Sequence, residues 1–191
     1  PAIAQLDSFP LLFHARDSAL ETLPDTPEQR RQGWQRICLF ATYFRPSVFN
    51  TPPWGRVLRQ AWQAGDRSRR NYFGLYPFQW QAQWQRSFAA LADGGRPLVA
   101  PVLQELILNR APAATLAWVD QIASWGCDRL ITAHFQAPVA ITADTLREAF
   151  RFLTPELTPA PLPLADRQLL IDLDQGLCAR GLVPPPQLQR R

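Results

Sequence analysis

Apolar positions along this chain mostly recur every three to four residues, the period of a helix that buries one face. Residues 9–15 (FPLLFHA) break that pattern with a nearly unbroken apolar run, which predicts a short buried strand. Thr26-Pro27-Glu28-Gln29 then predicts a helix start. Thr26 suits the N-cap, Pro27 the first helical position, and Gln29 can complete a capping box. Trp34, Ile37, Cys38, Ala41 and Phe44 follow at helical spacing, and Pro46 stops the run. A second helix is expected after Thr51-Pro52-Pro53, with Trp54, Leu58, Ala61 and Trp62 on one side and an end at Gly65. Trp80, Trp84, Phe88 and Leu91 predict a third, closed by Gly94-Gly95.

Further on, residues 98–100 read as a strand and Pro101 opens a helix over 102–109. Pro112 opens another, with Leu116, Val119 and Ile122 on one stripe, Trp118 and Trp125 beside it, and Gly126 at its end. Residues 129–134 read as a strand, and Thr142 caps a helix carrying Leu146, Ala149, Phe150 and Leu153. Prolines 155, 159, 161 and 163 make a stiff linker, and a last helix over 165–179 ends at Gly181 before Pro184-Pro185-Pro186. Strands separated by helices predict an α/β layered fold, helix-rich with a few short strands. A sheet so small leaves apolar face and edges uncovered, under Leu11, Phe13, Val99 and Ile131. The expectation is that an upstream half or self-association completes it.

Composition narrows the classes. The 191 residues are 47% hydrophobic and 19% charged, which is globular and not disordered. All 20 basic residues are arginine, methionine is absent, and the net charge is +4. That charge supplies few phosphate contacts, so nucleic acid is not the expected partner. Cys38, Cys127 and Cys178 lie far apart with no CxxC pair. They predict reduced, mostly buried thiols and a cytoplasmic setting, or the plastid stroma in a plant. No apolar run approaches the roughly 20 residues of a spanning helix, so no transmembrane segment is expected. The missing start residue fits either a removed methionine before Pro1 or a fragment boundary.

Several stretches resemble one family, domain-of-unknown-function family 4336, found in oxygenic phototrophs and related to the metallo-β-lactamase fold. They are PLLFHARD (10–17), GWQRICLFATYF (33–44), RNYFGLYPFQW (70–80), LVAPVLQELILNRAP (98–112) and HFQAP (134–138). The resemblance implies that residues 1–154 form the C-terminal half of a metallo-β-lactamase-like sandwich, followed by a linker (155–164) and a helix with a tail (165–191). The fold's histidine-rich metal motif would lie in a preceding half. His134 takes the place of its last metal-binding histidine, while Gln136 stands where an aspartate is expected. The implied function is a scaffold or binding module, not competent in catalysis alone. The alternative is a metal-dependent hydrolase completed by an N-terminal half. No cofactor is expected for the isolated chain, and zinc or iron for a complete protein.

Three groups of residues could carry chemistry. His134 ends a predicted strand, as a metal ligand or as a histidine packed against backbone. Nothing in the chain has HxH or HxxxH spacing. His14 and Arg16 would share one face of a strand, with Asp17 turning back to orient the imidazole as a catalytic pair. The competing reading is a polar cluster that holds the next loop. Arg56, Arg59, Arg67, Arg69 and Arg70 mix with Trp54, Trp62, Tyr72 and Phe73, which could grip phosphate and stack bases. Helical spacing predicts instead that these aromatics face the core. The stripe Trp80, Trp84, Phe88 could touch a cofactor or pigment, but core packing is the expectation. No GxSxG or P-loop motif occurs.

Overall fold

Asp7 decides the first element. Its Oδ1 accepts the Phe9 N–H at 3.0 Å, and the chain winds into helix α1 (Ser8–Ala15). The strand expected over residues 9–15 is therefore a helix. A uniformly apolar run shows no period, and a short buried helix satisfies it as well as a strand does. The side-chain cap tips the balance. The computed structural model describes residues 6–131, 138–154 and 162–188. They fall into two compact units, one formed by Pro1–Ala41 with Arg45–Phe88 and the other by Thr42–Phe44 with Ala89–Arg191.

In the first unit α2 (Pro27–Tyr43) starts where the sequence predicts, and its last turn groups with the second unit. Thr26 Oγ1 accepts the Gln29 N–H at 3.3 Å. The expected capping box closes on that side only, because the Thr26 N–H bonds to Pro24 O at 3.0 Å and Gln29 Oε1 stays buried without a partner. Helix α3 (Trp54–Gln63) buries Val57 and Ala61. Strands β1 (Phe49–Asn50) and β2 (Gln79–Trp80) pair antiparallel, Phe49 opposite Trp80. That pairing takes Trp80 out of the predicted third helix, which begins later as α4 (Trp84–Ala92). The core gathers Phe13, Ala19 and Tyr76, with Phe9 and Phe78 against them. Phe13 meets Tyr76 and Phe78 edge-on at 5.3 and 6.0 Å, geometry that aromatic pairs favour.

In the second unit residues 96–100 form no strand. The helix predicted over 102–109 splits at Ile107 (φ −128°, ψ −64°) into α5 (Pro101–Leu106) and a 3-10 turn, Leu108–Arg110. Helix α6 (Pro112–Ser124) packs on α7 (Ala143–Ala149), and α5 packs on α8 (Leu164–Ala179). Thr142 and Thr145 form a reciprocal cap at the start of α7. Gly181, at φ +67°, closes α8 with the Leu182 N–H on Leu177 O at 3.0 Å, a conformation glycine adopts without penalty. Strands β3 (Arg129–Leu130) and β4 (Val139–Ala140) form a second antiparallel pair. Val119, Leu153 and Leu170 centre the core.

The fold is thus helix-rich with a few short strands. The shared sheet face expected under Leu11, Phe13, Val99 and Ile131 does not form. Leu11 and Phe13 are buried in α1, and Ile131 is 82% exposed. Among the thiols only Cys38 is buried, while Cys178 is partly covered and Cys127 exposed, so "mostly buried" is corrected to one of three. Among the described residues no helix is long and apolar enough to cross a membrane.

Candidate functional site

The end of α1 is where the polar groups of the first unit converge. The last carbonyls of a helix have no partner within it and must find donors elsewhere. Helix α2 supplies them from one face. Gln32 Nε2 donates to Ala15 O at 2.7 Å. One turn on, Arg36 Nη1 donates to His14 O, Ala15 O and Arg16 O at 3.3, 2.9 and 2.9 Å. Gly33 between them permits the approach, since a Cβ there would lie 1.7 Å from Leu11 O. Arg36 Nη2 pairs with Asp17 Oδ1 at 2.7 Å. Only 2% of Arg36 is exposed, and its guanidinium lies 5.4 and 5.0 Å from the ring centres of Trp80 and Trp84. The Tyr76 hydroxyl donates a short bond to Arg16 O, and burial raises that phenol's pKa.

His14 contributes its backbone carbonyl to this knot, but its imidazole takes no part in the bonding. Its Nδ1 is buried without a hydrogen-bond partner, and its ring meets Phe13 and Phe78 edge-on at 5.4 and 4.9 Å. Burial first, then the Arg16 and Arg36 charges, lower its pKa from 6.5 to about 4. At neutral pH the imidazole is uncharged. Arg16 itself stacks on Phe13 and Tyr76, with its guanidinium carbon 4.6 and 5.1 Å from their ring centres, and donates to Asn71 Oδ1 at 3.2 Å.

The sequence-predicted pair is therefore close in the chain but differently engaged. Asp17 lies at the end of α1 with its carboxylate on Arg36, and its N–H donates to Glu21 Oε2 at 2.7 Å. His134 and Gln136 lie outside the described residues. A neutral imidazole is the form that binds metals, but among the described residues no group of three or more histidine, cysteine or acidic side chains comes together. The described residues of this site do not fit a metal centre. The residue that sequence reasoning missed is Arg36, the hub of the cluster. Its signal was Gly33, a glycine in a helical interior, which marks close backbone approach.

The arginine-aromatic stretch corrects a second expectation. Trp54, Leu58 and Trp62 do not face the core, being 61%, 60% and 79% exposed, and Tyr72 and Phe73 are exposed as well. Arg67 lies over Trp62, 5.5 Å from the ring centre. The other stripe behaves as core: Trp84 is buried, and Phe88 meets Trp34 at 5.9 Å.

The second unit holds a groove of about 510 Å³ between α5 and α8, walled on one side by Pro185, Pro186 and Leu188. Arg167 and Glu105 line it as an ion pair at 2.7 Å, and Asp174 lines it while held by Arg110 through a short contact. Arg110 also reaches Cys178 Sγ at 3.7 Å. Each arginine is matched by its own carboxylate, so the groove carries no uncompensated pair of charges.

No curated protein and no solved structure matches this chain. The sequence profile described as a domain of unknown function, DUF4336, matches residues 1–152, covering all of the first unit and the second as far as the turn after α7. Helix α8 lies beyond the match. With most of its length so matched, the chain belongs to the DUF4336 family.

Proposed function

We propose that this chain is a binding or scaffold module on a degenerate metallo-β-lactamase-like layout, and not a self-standing catalyst. The observation that carries the reading is the use of the polar groups at residues 14–17. Arg36 and Tyr76 are committed to backbone carbonyls, and Asp17 is committed to Arg36. His14 is left neutral against aromatic rings. A general base needs an orienting partner, and this arrangement leaves the imidazole Nδ1 without one. Exposed apolar side chains support the binding half of the reading. In the second unit Trp118, Trp125, Leu130 and Ile131 are exposed beside Asp120, Asp128 and Arg129, a mixed-charge setting compatible with a second copy of the chain. The metallo-β-lactamase-like relationship rests on the resemblance of the HFQAP segment and its neighbours. The reducing setting, cytoplasm or stroma, rests on the free thiols.

The test is metal loading with turnover. Purified chain is equilibrated with zinc, iron(II) or manganese, assayed for bound metal, and offered β-lactam, phosphodiester and thioester reporters. The expected result is no stoichiometric metal and no turnover above that of His14→Leu. One tightly held metal per chain, lost in His134→Ala, together with turnover, would overturn the module reading. It would make the chain a metal-dependent hydrolase with His134 as a ligand, active without an N-terminal half to complete it.

A further inference from the structure

Helix α3 has a wider apolar arc than the core beneath it uses. At about 100° per residue Val57 and Ala61 point one way, and Trp54, Leu58 and Trp62 form a second stripe alongside. The first stripe is buried and the second exposed. The 3-10 turn Tyr72–Gly74 packs against this helix, where a Cβ on Gly74 would come 2.9 Å from Ala61 O. It brings the exposed Phe73 to the same neighbourhood. Together these side chains leave roughly 500 Å² of apolar surface in water, at the upper end of what a soluble monomer shows.

The charge around this surface has one sign. Between residues 51 and 75 the chain carries Arg56, Arg59, Arg67, Arg69 and Arg70, all exposed, against a single carboxylate, Asp66. From outside the stretch Asp7 reaches Arg70 at 3.6 Å, and among the described residues the other four arginines have no ion pair. Of these Arg59 lies one turn before Trp62 and Arg67 over its ring, which puts net positive charge at the rim. A second copy of the chain is a poor occupant. It would set arginine against arginine, and the patch falls short of the ~800 Å² per partner of a standard stable interface. Nucleic acid is also disfavoured, because a convex helix with Leu58 between two indoles presents no groove and no continuous stacking platform. An aliphatic residue between tryptophans, edged by arginine on a short helix of low overall hydrophobicity, matches what an anionic lipid surface takes up. The apolar stripe enters the acyl boundary, the indoles sit at headgroup level, and the arginines meet lipid phosphates.

We propose that the α3 face is a peripheral docking site for an anionic membrane surface. The proposal rests on the reading of the chain as a binding module and names the partner of one of its faces. Flotation with lipid vesicles tests it, using phosphatidylcholine alone or with about a third phosphatidylglycerol. The chain floats with the anionic vesicles and stays behind with the neutral ones, and raising salt from roughly 0.05 to 0.5 M releases it. Neutralising Arg59→Gln, one turn before Trp62, and Arg67→Gln, over the Trp62 ring, together weakens partitioning about 25-fold, at about fivefold per arginine near the surface. Trp54→Ser with Trp62→Ser weakens it at least ~10-fold through lost apolar burial. All four positions are exposed, and circular dichroism confirms that the variants fold. Absence of flotation at low salt overturns the proposal. So does oligonucleotide binding of equal strength that survives the tryptophan pair, or a dimer in sedimentation equilibrium that the tryptophan pair dissolves. Metal-dependent turnover by the same preparation would sink the module reading instead, leaving the flotation result to be judged by its own controls.

Discussion

The buried imidazole of His14 makes acid a specific destabiliser of this protein. Its pKa is about 4 in the folded chain and 6.5 in the unfolded one, because folding strips water from the ring and sets it near Arg16 and Arg36. Above pH 6.5 neither state holds the proton, and the site does not bear on stability. As pH falls below 6.5 the unfolded chain takes up a proton that the folded chain refuses, so stability falls with pH until the folded site titrates near 4. Between pH 7.5 and 5.0 the loss works out at about 2 kcal/mol, reaching about 3 kcal/mol once pH is below both values. With a denaturant slope of roughly 1–3 kcal/mol per molar urea, the midpoint should drop by about 1 M over that interval. The clean assay is urea unfolding at the two pH values for the native chain and for His14→Leu, which cannot titrate. The variant should keep its midpoint where the native chain loses it. Nuclear magnetic resonance adds a direct reading, since the chain has two histidines and the variant assigns the signal. A His14 resonance titrating near 6.5, or equal pH sensitivity in both proteins, would refute the burial argument.

Other substitutions probe the same cluster and its surroundings. Gly33→Ala drives a methyl into Leu11 O, so thermal unfolding should show a loss of several kcal/mol, although alanine raises helix propensity by ~1 kcal/mol. Arg36→Met removes a donor from three carbonyls, of which Ala15 O keeps Gln32 and Arg16 O keeps Tyr76, and should cost about 2–3 kcal/mol in chemical denaturation. Arg36→Lys should recover little of it, because an ammonium cannot span the same fork of acceptors. Thr142→Ala opens the reciprocal cap of α7 and should cost about 1 kcal/mol, seen as a fall in Tm; no change would mean that the cap is replaced by water.

Much of the helical framework was legible because its signals are local. Pro27, Pro101 and Pro112 sit at helix starts, Thr142 caps, and Gly181 closes, each acting through its own backbone. What failed depended on partners distant in sequence. The apolar run at residues 9–15 had no period to read, and β1 pulled Trp80 out of a helix whose spacing otherwise included it. At the candidate site, spacing paired His14 with Asp17, but the His14 Nδ1 has no partner and Asp17 engages Arg36. Spacing could not reveal that Asp17 would be drawn to a guanidinium 19 residues away. Helical spacing also shows that α3 has an apolar arc without showing how much of that arc the core covers. The exposed indoles of Trp54 and Trp62 lie in the uncovered part.

The two ion pairs of α8 give that helix a polarity code. Its earlier residue, Arg167, is basic and meets Glu105, while Asp174, two turns on, is acidic and meets Arg110. Laid down in the opposite direction, the helix would set Arg167 against Arg110 and Asp174 against Glu105, like against like on both sites. Sliding by one turn would strand all four charges in partly desolvated surroundings, at a cost of several kcal/mol. Apolar packing alone tolerates such shifts far better. A segment beyond the family's shared core can thus seat in one orientation only, keyed like a plug whose pins differ.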